Sequence, residues 1–582
     1  MEMPMNNPIP ASFAHDDSLV GTGRQGQRAH QQHLAHGERL EKRLYAVTDQ
    51  VWCMVGNGLS NQTFVEGPEG LIAIDTGESV EEMAEALRAV RAHTSAPLVA
   101  VIYTHFHYCS GTQAVFAEAE GAVPVWAHHR VESNLQAMGG ELGPSASRGL
   151  VHQFSIVLPE EGPDALTHVG LGLSYRQKGH APFTSGFVAP THLITEATST
   201  VIAGLRVEIT LAPSDADDNI TIFFPELSVC VNNLVWPALF NVFAIRGEAY
   251  RDPQILLRGL DEILALEAEY LVGAHGPPLV GVEEIRAGVT DGRDALQYLW
   301  DQTVRGVNKG LTDGELISFV QLPEFFGRSY LTQQNYGLAE HHVRQISQGL
   351  TGWFDGLEAS LFPLPTAERC CRLIEGFGGR TEVARQAEEA LGDNDLRWAL
   401  ELATWLVRSE VDASGRADAG SSTERALLAS VLRALGQRTT SANIRGWCLT
   451  RALELDDQLD LSRFRMHRFG RRQVLAGDPV VFIQSLRVLL DPIAAADVEG
   501  HLRWCITDGP TTGLLIRHQV AVPTDGQGAD LEVALSHAAL ADLLSGKVGF
   551  SDAVAAGTIR VSGDLTQVTD LLACFELASM RS

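Results

Sequence analysis

At 582 residues the chain exceeds what one hydrophobic core supports, and about three to five domains are expected. Apolar residues make up 45% and charged residues 20%, the balance of folded globular domains, which argues against long disordered tracts. The 72 acidic against 44 basic residues give a net charge of −28, which repels phosphate backbones and argues against nucleic acid as a partner. No run of about 18 apolar residues occurs, and MEMPMNNPIPASFAHDDS lacks the basic start and apolar core of a secretory signal, so a soluble, cytoplasmic protein without a membrane span is expected. The eight cysteines are scattered without a CxxC pair, which predicts reduced thiols.

Residues 1–40 are polar and weakly periodic and are expected to form an extended N-terminal arm with solvated histidines at His30, His33 and His36. From 41 to 284, short apolar runs such as VWCMV, GLIAID and LVAVIYTH alternate with helical segments such as SVEEMAEALRAVRA, and VPVWAH, RVEITLA, ITIFFP and LSVCVN read as further strands. This is an α/β domain, with its chemistry expected in the loops at strand ends. Residues 285–460 carry apolar positions at three and four spacing and read as helical. Residues 461–582 read as a small α+β domain, with strand-like HLRWCITD and GLLIRHQVAV.

The stretch YTHFHYCSGT follows a buried strand and presents His105 and His107. Two imidazoles at a strand end suit a metal, although a shared loop explains such a pair equally well. The surrounding pattern is more specific: a strand ending in Asp75, a helix, the T-H-x-H strand end and a late G-A-H at His275 resemble the metallo-β-lactamase fold. The stretches SNQTFVEGPEGLIAID, FVAPTHLI, NVFAIRGEAYRDP, LVGAHGPPLVG, DQTVRGVNKGLTDGEL, LPEFFGRSYLTQQNYG and LTGWFDGLEASLFPLP are similar to the alkylsulfatase branch of that fold. VGFSDAVAAGTIRVSGDLTQVTDLL looks like that family's sterol-carrier-like domain. The resemblance implies an αββα catalytic sandwich, a helical domain that makes a homodimer, and a C-terminal domain that helps to hold apolar chains of a small-molecule substrate.

In that family two zinc ions, held by H-x-H-x-D-H, two glutamates and a late histidine, hydrolyse alkyl sulfate esters. Carried over, the ligands fall on His105, His107, Cys109, Ser110, Asp215, Asn233 and His275. His105, His107 and Asp215 suit one Zn²⁺ with an open position, or Fe(II) in a facial triad. A second ion would depend on Cys109, Ser110, Asn233 and His275, of which only a thiolate and an imidazole are good ligands. Cys109 is either a ligand or reactive thiol or a small buried apolar residue, and Asp217 and Asp218 neighbour Asp215 as substitutes. Arg246 stands where the family has an arginine facing sulfate, and its planar fork suits an oxyanion. The expectation is a metal-dependent hydrolase with a reduced, single-metal site. Its rivals are an iron-using biosynthetic or redox enzyme on the same scaffold, and a non-catalytic protein that binds an apolar ligand.

Overall fold

The structure, a computed structural model, describes residues 12–138 and 141–581. The chain forms two compact units: one takes the chain up to Val131 and Gly149–Asp460, the other Glu132–Arg148 and the chain from Leu461 onward.

In the first unit a seven-stranded sheet runs in the order Arg43–Ala46, Val51–Val55, Gln62–Gly67, Gly70–Ile74, Leu98–Ile102, Val125–His128, His192–Ile194. Its first four strands pair antiparallel and its last four parallel. The second sheet has six strands, from Thr198–Ile202 through Leu205–Leu211, Ile220–Phe224, Val229–Asn232 and Tyr270–Gly273 to Leu279–Val280. Strands buried on both faces read as unbroken apolar runs, which is why LVAVI, GLIAI and VCVN show no alternation. The inner faces meet in one core in which Val65, Ile72, Ile74, Ala100 and Ile102 face Val207, Ile209, Ile222, Val231 and Val272. Helix Val80–Val90 packs beside the first sheet. Leu256, Leu260 and Ile263 of helix Pro253–Ala265 cover the outer face of the second at Cys230 and Leu271. This is the expected αββα sandwich.

Long helices follow, among them Val282–Asn308, Ala339–Thr351, Leu396–Arg408, Ser422–Arg438 and Ala442–Leu455, in agreement with the helical periodicity. Asp418 ties this part together through Arg416 and Arg451.

Two sequence expectations are corrected. The described part of the expected arm is structured: Val20–Thr22 pairs with Arg28–His30, and helix Gln31–Arg39 follows. His33 and His36 are buried, not solvated. His33 bonds Thr167 Oγ1 at 2.6 Å and Thr440 O at 3.1 Å, and His36 bonds Gly170 O at 2.7 Å. Polar side chains with satisfied partners can be buried at little cost, and a polar sequence does not reveal those partners. In the second unit, GLLIRHQVAV is two strands, Thr511–Arg517 and Val520–Thr524, of a five-stranded sheet. The turn between them puts His518 and Gln519 in left-handed backbone at φ 51° and 63°, a conformation usually marked by Asn or Gly. Trp504, fully buried, centres this unit's core with Leu531, Val533 and Leu571.

Ile222 sits fully buried between the sheets. Ile222→Ala is expected to cost about 2–5 kcal/mol, measured as an earlier loss of helical and strand signal in urea.

Candidate active site

Strand Leu98–Ile102 delivers the H-x-H segment, and two buried acids fix how it leaves the sheet. Asp75, at φ 57°, accepts from Thr104 N at 2.8 Å and from Thr104 Oγ1 at 2.7 Å. Asp218 accepts from Phe106 N at 3.0 Å. Because the Thr104 hydroxyl donates to Asp75, its oxygen is left to accept from His105 Nδ1, 2.9 Å away. That bond fixes the tautomer and leaves the Nε2 lone pair facing the site.

Asp215 meets both histidines. Its Oδ1 is 3.7 Å from His105 Nε2 and its Oδ2 is 3.3 Å from His107 Nδ1. All three ligand atoms lie within 4.8 Å of one another. Zinc bonds of about 2.0–2.2 Å in a tetrahedron separate ligands by about 3.3–3.6 Å, so this donor set fits a single ion. Burial opposes the Asp215 charge, yet His105 and His107 hold its carboxyl well below the usual range. Burial pushes His105 down to about 3. It opposes charge on His107 too, but Asp215 and Glu248 outweigh it and raise His107 to about 9. Asp215 is therefore not part of a solvated acidic loop. Of its neighbours, Asp217 is half-exposed and paired with Arg130 at 2.9 Å, while Asp218 is buried on the Phe106 amide.

The remaining expected ligands are turned to other partners. His275 Nδ1 donates to Leu59 O at 3.1 Å, which leaves Nε2 to accept from the Tyr108 hydroxyl at 3.1 Å. The Trp236 indole N–H can only donate, and it takes Asn233 Oδ1 at 3.1 Å. Asn233 therefore presents its NH₂ to the site, donating to Asp215 Oδ1 at 2.7 Å. Cys109 is fully buried with its thiol on Phe106 O at 3.0 Å. Burial, with Glu78, Asp75 and Asp218 nearby, pushes that thiol well above its ordinary value. Of the two readings of Cys109, this environment suits the small buried residue: carboxylates, not cations, lie near it, and thiolates need positive neighbours.

Sequence reasoning missed Tyr108, Glu78 and Glu248. Glu248 Oε1 lies 3.5 Å from His107 Nε2 and is ion-paired with Arg246, while its other oxygen pairs with Arg251. Its place in AIRGEAYRDP, between two arginines, was the available signal. Glu78 is buried beside Arg176 and accepts from the Tyr175 hydroxyl, and nothing local in GESVEE marks it. Tyr175 stacks on Phe154 at 5.3 Å, and the Arg246 guanidinium lies 5.7 Å from the same ring. Ile245, the residue before Arg246, lines a largely apolar cavity of about 390 Å³ with Leu400, Leu432, Ile444 and Trp447.

Residues 312–458 match the family model described as alkyl sulfatase dimerisation, and 471–581 match the one described as alkyl sulfatase C-terminal. Over 530 residues, 88% of this chain and 98% of the relative, the chain is 33% identical to the linear primary-alkylsulfatase of Pseudomonas sp. (strain ATCC 19151). The chain belongs to the alkylsulfatase family. It is also 28% identical to the (R)-specific secondary-alkylsulfatase of Pseudomonas sp., covering 90% of this chain and 79% of that one. The solved stereoselective inverting sec-alkylsulfatase Pisa1 from Pseudomonas sp. superposes with a TM-score of 0.82 at 25% identity, over 94% of this chain and 87% of that one. As a member of that family the chain is a hydrolase.

Glu82, beside Glu78, is buried, and burial followed by the Glu78 charge raises it from 4.5 to about 8. The folded state thus keeps a proton that the unfolded chain releases near 4.5. Its support for folding is full below that pH and is lost as pH rises through about 8. Stability of Glu82→Gln relative to the unsubstituted protein should therefore rise by about 2–4 kcal/mol between pH 4.5 and 8.5, read from urea unfolding across that range.

Proposed function

We propose that this alkylsulfatase-family hydrolase cleaves sulfate monoesters of apolar alcohols with a single divalent metal ion, zinc. The observation that carries this reading is the contrast within the site. The ligand atoms of His105, His107 and Asp215 converge within 4.8 Å of one another, with the Asn233 NH₂ reaching His105 Nε2 at 3.4 Å and Asp215 Oδ1 at 2.7 Å, whereas His275 stands outside that group with its Nε2 on the Tyr108 hydroxyl. When bound, such an ion supplies Lewis acidity and lowers the pKa of a water at the site.

The chain's own residues do the rest. Thr104 and Glu248 hold the outer nitrogens of the two ligand imidazoles, the support that sets ligand direction and basicity. The Tyr108 hydroxyl, carried on His275, fills the second half of the site with a neutral hydrogen-bonding group, and burial keeps its proton in place by raising it well above its ordinary value. Arg246, with its Nη2 held by Glu248, supplies positive charge for the sulfate group. Phe154, Tyr175 and Trp236 wall the site and keep water low, which strengthens every charge contact inside. The largely apolar cavity lined by Ile245 offers room for the alkyl part. The matched dimerisation model supports a homodimer. Among the described residues no helix is long and apolar enough to cross a membrane, and a cytoplasmic site of action is part of the proposal.

Elemental analysis should find about one zinc per chain, and His107→Ala should retain less than about a tenth of it, with sulfate release from dodecyl sulfate falling at least a hundredfold. Iron in place of zinc, or unchanged metal in His107→Ala, would refute the assignment. Restoring Cys109→Asp, Ser110→His and Asn233→Glu should leave metal content near one per chain while Tyr108 still holds His275. Adding Tyr108→Ala should bring it towards two.

A further inference from the structure

Arg246 does not stand open to an anion. Its Nη2 is ion-paired with Glu248 Oε1, and Glu248 Oε2 pairs with Arg251 Nη2. Arg251 is anchored by donating from Nη1 to Asn241 O at 2.7 Å. The Arg246 backbone is anchored by its N–H on Gln153 Oε1 at 3.1 Å. The side chains of Arg246, Glu248 and Arg251 are 12%, 16% and 4% exposed. Two guanidiniums and one carboxylate are therefore held together with little water, and their sum is a single positive charge. Arg246 Nε is buried with no hydrogen-bond partner. The guanidinium thus has donor capacity that Glu248 does not use.

The charge of the reacting group changes during sulfate ester hydrolysis. In R–O–SO₃⁻ + H₂O → R–OH + SO₄²⁻ + H⁺, water cleaves the ester, the alcohol leaves, and the sulfur-bearing group passes from one negative charge to two. The Arg246–Glu248–Arg251 cluster, at net charge +1, matches the single charge of the substrate's head group. Two arginines without Glu248 would match the product. Like charges a few ångströms apart in a site of low dielectric repel strongly, so the carboxylate acts against the second charge more than against the first.

We propose that Glu248 determines anion specificity at this site: it trims the Arg246–Arg251 pair so that a monoanionic sulfate ester is held and dianionic sulfate is expelled. The inference rests on the sulfate-ester reading above. It also predicts that phosphate monoesters, which are dianions near neutral pH, are poor substrates.

The test is calorimetric titration of the metal-loaded protein with methanesulfonate, a monoanion that is not hydrolysed, and with inorganic sulfate, with metal content verified in each sample. Methanesulfonate should bind the unsubstituted protein at least tenfold more tightly than sulfate. In Glu248→Gln sulfate should tighten at least tenfold and methanesulfonate less than threefold, with inhibition by added sulfate strengthening in parallel. Glu248→Asp, which keeps the charge, should preserve the unsubstituted ratio. Equal binding of the two anions by the unsubstituted protein, or an equal shift of both in Glu248→Gln, overturns the inference. If dodecyl sulfate is hydrolysed while discrimination is absent, the role of Glu248 fails and the hydrolase reading survives. If discrimination is present without sulfate release, Glu248 keeps its role as an anion selector and the sulfate-ester reading fails.

Discussion

The Asp75–Thr104 clamp is the contact on which the site depends. Asp75 closes its strand in left-handed backbone, and its N–H bonds Ile102 O of the neighbouring parallel strand at 3.0 Å. Its carboxylate takes both donors of Thr104. Thr104 then has only acceptor capacity left, and His105 Nδ1 uses it. A carboxylate between two strand ends thus decides the tautomer of an imidazole one residue further on. Asp218, from the loop that joins strands Leu205–Leu211 and Ile220–Phe224 of the second sheet, pins Phe106 N in the same way. The segment between the histidines is therefore held from both sheets at once, and their mutual packing sets the position of Asp215 relative to His105 and His107.

Much of this was legible in the sequence because burial on two faces leaves a plain mark. Runs such as LVAVIY and LSVCVN gave the strands, and the end of a parallel strand gave the place of His105 and His107. Asp215 followed from a resemblance rather than from any local pattern. What was not legible depends on convergence. Glu248 meets His107 from a segment about 140 residues further on, and Glu78 meets Tyr175 across almost 100. No spacing rule encodes such pairs. His33 and His36 misled for the opposite reason: the polar residues around them suggest solvent, while their partners Thr167, Thr440 and Gly170 lie far along the chain. Cys109 was left with two readings because its neighbours in sequence are those of a metal site, whereas in space its thiol meets the Phe106 carbonyl with Glu78, Asp75 and Asp218 nearby.

The departures from the family's ligand pattern form a consistent set. A buried polar group left without a partner costs about 1–3 kcal/mol, so a second metal site that had merely lost its ligands would leave several such groups. Here the groups are satisfied. Tyr108 bonds His275, Trp236 bonds Asn233, Asn233 bonds Asp215, and the Cys109 thiol bonds Phe106 O. These bonds also immobilise the aromatic wall formed by Tyr108, Trp236 and Tyr336, whose rings meet edge to face around His275 and Trp236. On the proposed single-metal reading, a hydrogen-bonded aromatic shell stands where a second ion would otherwise bring charge, and it keeps that half of the site rigid.

The same economy of charge extends outward. A chain of net charge −28 opposes the approach of any anion through the summed field of its surface. Positive charge is therefore valuable only where it is sheltered from that field and from water. Arg246 and Arg251 are buried and share one carboxylate, so their charge acts over a few ångströms and not across the surface. Long-range attraction cannot then be the source of affinity for an anionic amphiphile. The apolar part must supply it, at about 25 cal/mol for each Å² removed from water. Buried cations would add selectivity for the head group once the chain has arrived. On the proposed sulfate-ester reading, an acidic surface and a sparingly positive pocket are two sides of one arrangement, in which small unattached anions gain little by staying.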